Sequence, residues 1–395
     1  MNNSMAAKKI LLSVLLTCLS YAGCKNTDSR NNKHSTEDNA LKKAWYKHYS
    51  GTKDGKQIVV NLQCAGKKVQ GSYYYPNEGV IIDLAAAAQG ADGNSVNLIE
   101  DNSQQRPQDD STAKDSWQLS IQYGTAKGKW VSGDKKKTTD IDMKEEYPTG
   151  TYPLDVVLKG DSKEERKEVV HVTAATFYEL LQPGAEMNKA DANFLSSSIL
   201  HFLGGGTGHE QNISDYVLLE DKKYFDNFEK LLADMKIDRE AHEDWEYNFE
   251  HTRRMKVLYN SGGMLVLQLE ASERTGGGVM GSHFRSTYAC IDMQQKKQWQ
   301  VKDIMDVNGT VLVPLLNDQA RKAFGIPNNG PLSGRLRVED IPLTDNVYFT
   351  GNGIAFVYFP GVIAAEEEGE ICLFLPFRKL MRQLRADFKT RMEIQ

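Results

Sequence analysis

The sequence predicts an α+β protein in two parts: an antiparallel all-β module, then a mixed α+β domain with a C-terminal helix packed on a sheet. Three observations predict this. From Gln57 to Leu158, short apolar-alternating runs follow one another at the spacing of strands joined by tight turns. Beyond Glu168 amphipathic stretches with helical periodicity enter the pattern. After Ala22 no apolar run approaches the length of a membrane span, so the remainder of the 395-residue chain is long enough for two or three domains. The expected division is residues 1–23 as a signal, 24–44 as a tether, 45–160 as the β module and 168–395 as the α+β domain.

Lys8 and Lys9 form a positive start, Ile10 to Leu19 an apolar run too short to span a bilayer, and Ala22-Gly23 are small residues before Cys24. The segment resembles a lipoprotein signal of the looser Bacteroidota kind, with Tyr21 where Leu is usual. That resemblance implies cleavage before Cys24, lipidation at Cys24, and a place in the cell envelope at the outer membrane or the periplasmic face. Acyl chains contribute about 0.8 kcal/mol per buried methylene, so the chain is expected to be held by its N-terminal lipid alone. Lys25 to Lys43 is polar and has almost nothing to bury, the composition of a spacer.

In the β module, Ile58 to Leu62 leads through Ala65-Gly66-Lys67 into Val69 to Tyr75, and Pro76-Asn77-Glu78-Gly79 turns the chain into Val80 to Leu84. Val96 to Ile99, Trp117 to Gln122, Gly128 to Val131 and Thr138 to Met143 continue the strands. Ser103 to Lys114, without a sizeable apolar residue, reads as an exposed loop. Gly150 to Glu168, including the charged run Lys159 to Lys167, reads as a linker and turn. Ala190 to Leu203 carries Phe194, Leu195, Ser198, Ile199 and Phe202 on one helical stripe, stopped by Gly204 to Gly206. Tyr224 to Met235 repeats the pattern. Met255 to Tyr259 and Met264 to Leu269 form a hairpin around Asn260 to Gly263. Thr287 to Met293 is a strand and Leu312 to Phe324 a helix. Val347 to Phe349 and Ile354 to Phe359 form a second hairpin, Ile371 to Leu375 a strand, and Phe377 to Met392 a closing helix.

The net charge of −5, without an arginine-rich block, argues against a nucleic-acid surface. Of 5 cysteines, Cys18 lies in the signal and Cys24 is the lipid site, which leaves Cys64, Cys290 and Cys372. Cys290 and Cys372 share a domain, and their apolar strand settings suit two buried thiols better than a bridge, though both readings stand.

The chemical motifs are sparse. Gly204 to His209 lacks the Gly-Lys-Ser/Thr ending of a phosphate loop and follows a helix, so it reads as a helix cap. His242, Glu243, Glu246 and His251 do not have metal-ligand spacing and read as solvated helix surface. Gly160-Asp161-Ser162 is a charged turn, and no nucleophile elbow exists anywhere in the chain. Glu366, Glu367, Glu368 and Glu370 form an acidic loop between two strands, suited to meeting a cationic partner. No cofactor and no metal site is expected.

Residues 168–395 contain four further features. Leu265 to Leu269 leads into Thr275-Gly276-Gly277-Gly278-Val279-Met280-Gly281-Ser282-His283. Gln298 to Met305, Val347 to Phe356, and Phe359-Pro360 with Leu375-Pro376-Phe377 are the others. Together they resemble the RsiV/PdaC-type envelope domain, the ectodomain type of lysozyme-sensing anti-sigma factors. Gly361 and Val362 stand where that family has Tyr-Glu, and His283 is displaced. The resemblance implies a non-catalytic binding role, with a cationic lysozyme-like protein or peptidoglycan as partner; the acidic loop of Glu366, Glu367, Glu368 and Glu370 suits the former, and His283 is a further candidate binding residue. The alternatives are a cell-wall or glycan hydrolase, needing His283, His209 and carboxylates near Glu243 to assemble, and a structural partner in an envelope complex.

Overall fold

The computed structural model describes residues 44–395 apart from 93, 102–112, 169, 206–211, 237–245 and 277–281, with the backbone alone at 89, 90, 92, 246, 282 and 283. Cys24, the tether, most of the loop read from Ser103 to Lys114, His209, His242 and Glu243 lie outside the described residues.

Strands β1 (Trp45–Lys53), β2 (Lys56–Ala65), β3 (Lys68–Tyr74), β4 (Ile82–Asp92), β5 (Ser95–Asp101), β6 (Ser116–Gln122), β7 (Thr125–Val131) and β8 (Thr138–Glu145) run antiparallel in chain order, and β1 closes on β8. Strand alternation builds the interior: in β6, Trp117, Leu119 and Ile121 are buried while Gln118, Ser120 and Gln122 face water. Closure was not legible as such, but it leaves this all-β module with no strand edge. One ion pair sits inside, where Lys53 Nζ lies 2.5 Å from Glu100 Oε1. The Tyr73 hydroxyl and Trp117 Nε1 donate to the same oxygen at 2.8 and 2.7 Å. Burial lowers the Lys53 pKa, and the neighbouring Glu100 carboxylate counters that shift.

Six strands form the second sheet: β9 (Leu154–Lys167), β10 (Val170–Pro183), β11 (Glu246–Ser261), β12 (Met264–Gly276), β13 (Ser282–Asp292) and β14 (Lys297–Trp299), ordered β14-β13-β12-β11-β10-β9. Among the described residues of this sheet only the β10–β11 pair is parallel, and parallel neighbours need a crossover. Helices α1 (Lys189–Phe202) and α2 (Ile213–Asp234) lie in that crossover. Asn188 caps α1 by accepting from the Asp191 amide. Gly204, at φ 80°, ends it: its own amide bonds to the His201 carbonyl and that of Gly205 to the Leu200 carbonyl, the paired bonds of a left-handed helix stop.

The charged run read as a linker is strand β9. It is the outer strand of its sheet, hydrogen-bonded on one side to β10, and its lysines are held by α2: Lys159 by Asp221 at 2.9 Å and Lys163 by Glu229 at 2.7 Å. Charge on an outer strand reads as loop because little of it is buried. Gly160-Asp161-Ser162 accordingly lies in strand, not in a turn.

A third sheet, β15 (Val347–Phe349), β16 (Gly353–Tyr358) and β17 (Ile371–Pro376), is packed by α4 (Gly309–Ala323), which follows the short α3 (Val301–Ile304). The closing helix is two pieces, α5 (Phe377–Leu380) and α6 (Ala386–Arg391). Between them the backbone bonds elsewhere: Asp306 N–H to the Gln383 carbonyl at 2.7 Å and Arg385 N–H to the Ile304 carbonyl at 3.0 Å. Both pieces still pack inward, with Phe377, Leu380, Leu384 and Phe388 buried. Cys64, Cys290 and Cys372 are buried and unpaired, and burial pushes each thiol up to about 12.

The barrel docks where β10 leaves β11. Their pairing ends at Glu179 with Arg254. Just beyond, the Met255, Val257 and Leu258 carbonyls accept from Gln63 Nε2 (2.8 Å), Ser72 Oγ (2.9 Å) and Asn61 Nδ2 (3.4 Å) of the barrel wall. The buried Glu179 carboxylate accepts from Gln63 at 2.7 Å and Gln70 at 3.1 Å. At the other end of β3, Gly79 at φ 73° lets its carbonyl accept from Thr350 Oγ1 at 2.7 Å; a Cβ there would lie 2.6 Å from that oxygen.

Gln63→Ala leaves the Met255 carbonyl and Glu179 short of a donor in a dry seam, and is expected to destabilise the chain by about 2 kcal/mol in urea denaturation. A loss under about 0.5 kcal/mol would show that water replaces the amide. The β6–β7 turn, Tyr123-Gly124, has φ 47° and 71°, with Tyr123 87% exposed. Since Asn suits that backbone and Tyr does not, Tyr123→Asn is expected to raise stability by about 1 kcal/mol, read as a higher melting temperature.

Candidate functional site

The acidic loop is a single 3-10 turn, Glu366–Glu368, between β16 and β17. Glu366 and Glu367 are exposed. Glu368 is tied to Arg335 Nη2 at 3.0 Å. Glu370 departs from the exposed patch expected of it: only 4% is accessible, and its Oε1 accepts from the Ser286 amide at 2.6 Å. Asn346 Nδ2 donates to the Ser286 carbonyl at 3.0 Å. The physical reason is an open edge. Strand β14 pairs only with Cys290 to Asp292, so at Ser286 the outer backbone groups of β13 have no paired strand among the described residues, and two side chains satisfy them instead. Burial raises the Glu370 pKa, and the Ser286 hydrogen bonds work against that shift.

His283 lies three positions before Ser286 on β13, in register with Glu273 of β12. The fold therefore brings Glu370 and the backbone of His283 to one strand, while Glu366 and Glu367 face solvent at the end of the small sheet.

Two polar clusters were not read as such. At the junction of the barrel and the two sheets, Lys256 lies 2.7 Å from Glu270 and 3.3 Å from Asp83. Burial opposes the Lys256 charge, yet the two carboxylates hold its pKa above the usual lysine value. Burial raises Asp83, whereas Lys256 overcomes burial at Glu270 and lowers it. Beside them is a cavity of about 10 Å³, lined by Asp83, Asp101, Gln268, Tyr288 and Tyr348 among others, room for one water.

The other cluster surrounds His251. The sequence placed it on a solvated helix; it lies in β11, with ring centres of Tyr178 and Tyr224 at 5.7 and 5.5 Å. Burial, then Arg253, lowers its pKa. Arg253 Nε donates to its Nε2 at 3.3 Å, so in the neutral ring the proton sits on Nδ1, 3.4 Å from Glu273 Oε1. Both ring nitrogens are thus engaged. Among the described residues no three His, Cys, Asp or Glu side chains converge as metal ligands. The parallel β10–β11 crossover creates this cluster, and no spacing in the sequence signals it.

The chain matches no family model and no curated protein. Among solved structures it is similar to a DUF3298-family member from Bacteroides fragilis, with TM-score 0.50 and 16% identity over 62% of this chain and 99% of that one. A DUF3298-family protein from Pseudomonas aeruginosa aligns with TM-score 0.39 and 13% identity over 60% of this chain and 96% of that one. The first likeness is one of fold alone, over 62% of this α+β chain.

Glu370→Ala strips the Ser286 amide of its acceptor and is expected to destabilise by about 1–3 kcal/mol, whereas Glu370→Gln keeps an acceptor oxygen and is expected to lose less. The pH dependence has a definite sign. With a folded pKa above the unfolded value of about 4.3, Glu370 is most favourable to folding below that value, and its contribution declines as pH rises through the folded pKa. Denaturation at stepped pH is therefore expected to show wild type gaining on Glu370→Gln upon acidification; the opposite slope would refute the burial effect.

Proposed function

We propose that this chain is a lipid-anchored cell-envelope protein with a binding role, which presents the turn at Glu366–Glu368 to a cationic partner of the lysozyme type. Peptidoglycan is the second ligand class. One observation carries the reading. Glu366 and Glu367 hold two exposed carboxylates on a turn closed by the Glu368 amide on the Ala365 carbonyl and tied on its C-terminal side, by Arg335 through Glu368 and by Ser286 through Glu370. A pre-set charged turn loses little freedom on binding and speeds encounter with opposite charge. The N-terminal signal pattern and the resemblance to RsiV/PdaC-type domains support the same reading. So does the engagement of the clustered titratable groups with one another, Lys256 with Asp83 and Glu270, and His251 with Arg253 and Glu273.

The test is calorimetric titration of the chain from Trp45 to Gln395 with a basic c-type lysozyme, at low and raised salt. Saturable heat that weakens with salt is expected. The double variant Glu366→Lys, Glu367→Lys is expected to slow association about tenfold or more at low salt. An unchanged on-rate would remove the turn from the interface, and no heat at micromolar protein would turn the search to glycan.

A further inference from the structure

Tyr123 combines two features that oppose each other. It sits at φ 47° in a two-residue turn with Gly124 at φ 71°, backbone that Asn, Asp or Gly adopts readily and a bulky residue does not. It is also 87% exposed, so no packing within the protein offsets the strain.

Its position gives the strain a meaning. The register places Trp45 opposite Cys64, Ala65 opposite Lys68, Asp92 opposite Ser95, and Thr125 opposite Lys144. The start of β1 and the β2–β3, β4–β5 and β6–β7 turns therefore share one end of the barrel. Lys67 and Lys144 are exposed at that end, and Trp45 is half-buried there. This is also the end at which the chain from Cys24 reaches the barrel. Residues 25–44 span at most about 70 Å when fully extended, and about 25 Å at coil dimensions.

We propose that this barrel end lies against the surface of the membrane holding the anchor, with Tyr123 seated among lipid headgroups and Lys67 and Lys144 facing anionic lipid. Tyrosine suits that layer, where an apolar ring meets a wet edge, and basic side chains are drawn to anionic leaflets. The inference rests on the lipid-anchor reading above.

The test uses the full chain, processed and acylated in a bacterial host, in vesicles of phosphatidylethanolamine and phosphatidylglycerol. A nitroxide is placed by Tyr123→Cys and, in a second sample, by Lys135→Cys in the β7–β8 turn at the opposite end of the barrel. The label at position 123 is expected to be several-fold less accessible to a water-soluble nickel reagent than the label at 135. Independently, vesicles should protect Lys67 and Lys144 of the unlabelled chain from an impermeant amine reagent, and Tyr123→Asn should reduce that protection. Equal accessibility at both labels, with no vesicle protection, overturns the inference and leaves Tyr123 facing a protein or glycan. The mass of the mature N-terminus reports the anchor separately: no acyl mass overturns the anchor reading and this inference together, whereas acyl mass with equal labels overturns the inference alone.

Discussion

Backbone polarity at the point where β10 leaves β11 dictates how the two halves of this protein join. A strand running on without its neighbour presents carbonyls that lose a great deal in a dry interior unless a donor reaches them. The barrel wall supplies those donors. Gln63, Ser72 and Asn61 reach the Met255, Val257 and Leu258 carbonyls, and Gln63 and Gln70 satisfy the Glu179 carboxylate at the parting point. Polar residues on a barrel exterior would ordinarily face water; here they are buried because they complete a sheet. The seam extends through Lys256, which binds Asp83 of the barrel and Glu270 of the sheet.

The same solution recurs at β13. Where β14 stops short, Glu370 and Asn346 take the place of a strand at Ser286. At the other margin of the sheet, β9 carries alternating charge held by α2. Three margins are thus managed by three devices: docking of a barrel, capping by side chains, and charge. Each blocks the adventitious strand pairing that open edges invite. At β13 the cap has a second effect, because the Glu370 that seals the edge is two residues from the turn bearing Glu367 and Glu368. Sealing the edge and fixing the acidic turn are one interaction.

Much of this fold was legible because one-sided burial leaves a period in the sequence. Trp117, Leu119 and Ile121 alternate, Leu195 and Ile199 lie on one helical stripe, and Gly204 stops that helix. The elements that escaped are those whose burial is not one-sided or whose partners are remote. In β9, Lys159 to Lys167 has the composition of a loop because its support comes from α2, more than sixty positions away for Lys163 and Glu229. The closing helix broke at Gln383 to Arg385 because Ile304 and Asp306 claim that backbone. Among site residues, the run of glutamates showed an acidic turn, but nothing local distinguishes Glu370 from Glu366. Its inward turn depends on Ser286, and the engagement of His251 depends on the register of β11 against β12.

The small sheet is mounted on the barrel through its β15–β16 turn. Thr350 and Asn352, in the β15–β16 turn, bond to the Gly79 and Pro76 carbonyls, at the barrel end opposite Trp45. Strand β16 runs away from that contact, from Gly353 to Tyr358, and β17 returns from Ile371 to Pro376. The turn at Glu366–Glu368 joins the far ends of these strands. The far end of the small sheet thereby comes level with Ser286, Glu270 and Arg254, the row at which Glu179 receives Gln63 of the barrel. The buried Lys53–Glu100 pair and its aromatic neighbours fill the barrel interior. The small sheet is thus held at both of its ends, by the barrel loop through Thr350 and by the edge of β13 through Glu370, so neither end is free to fray.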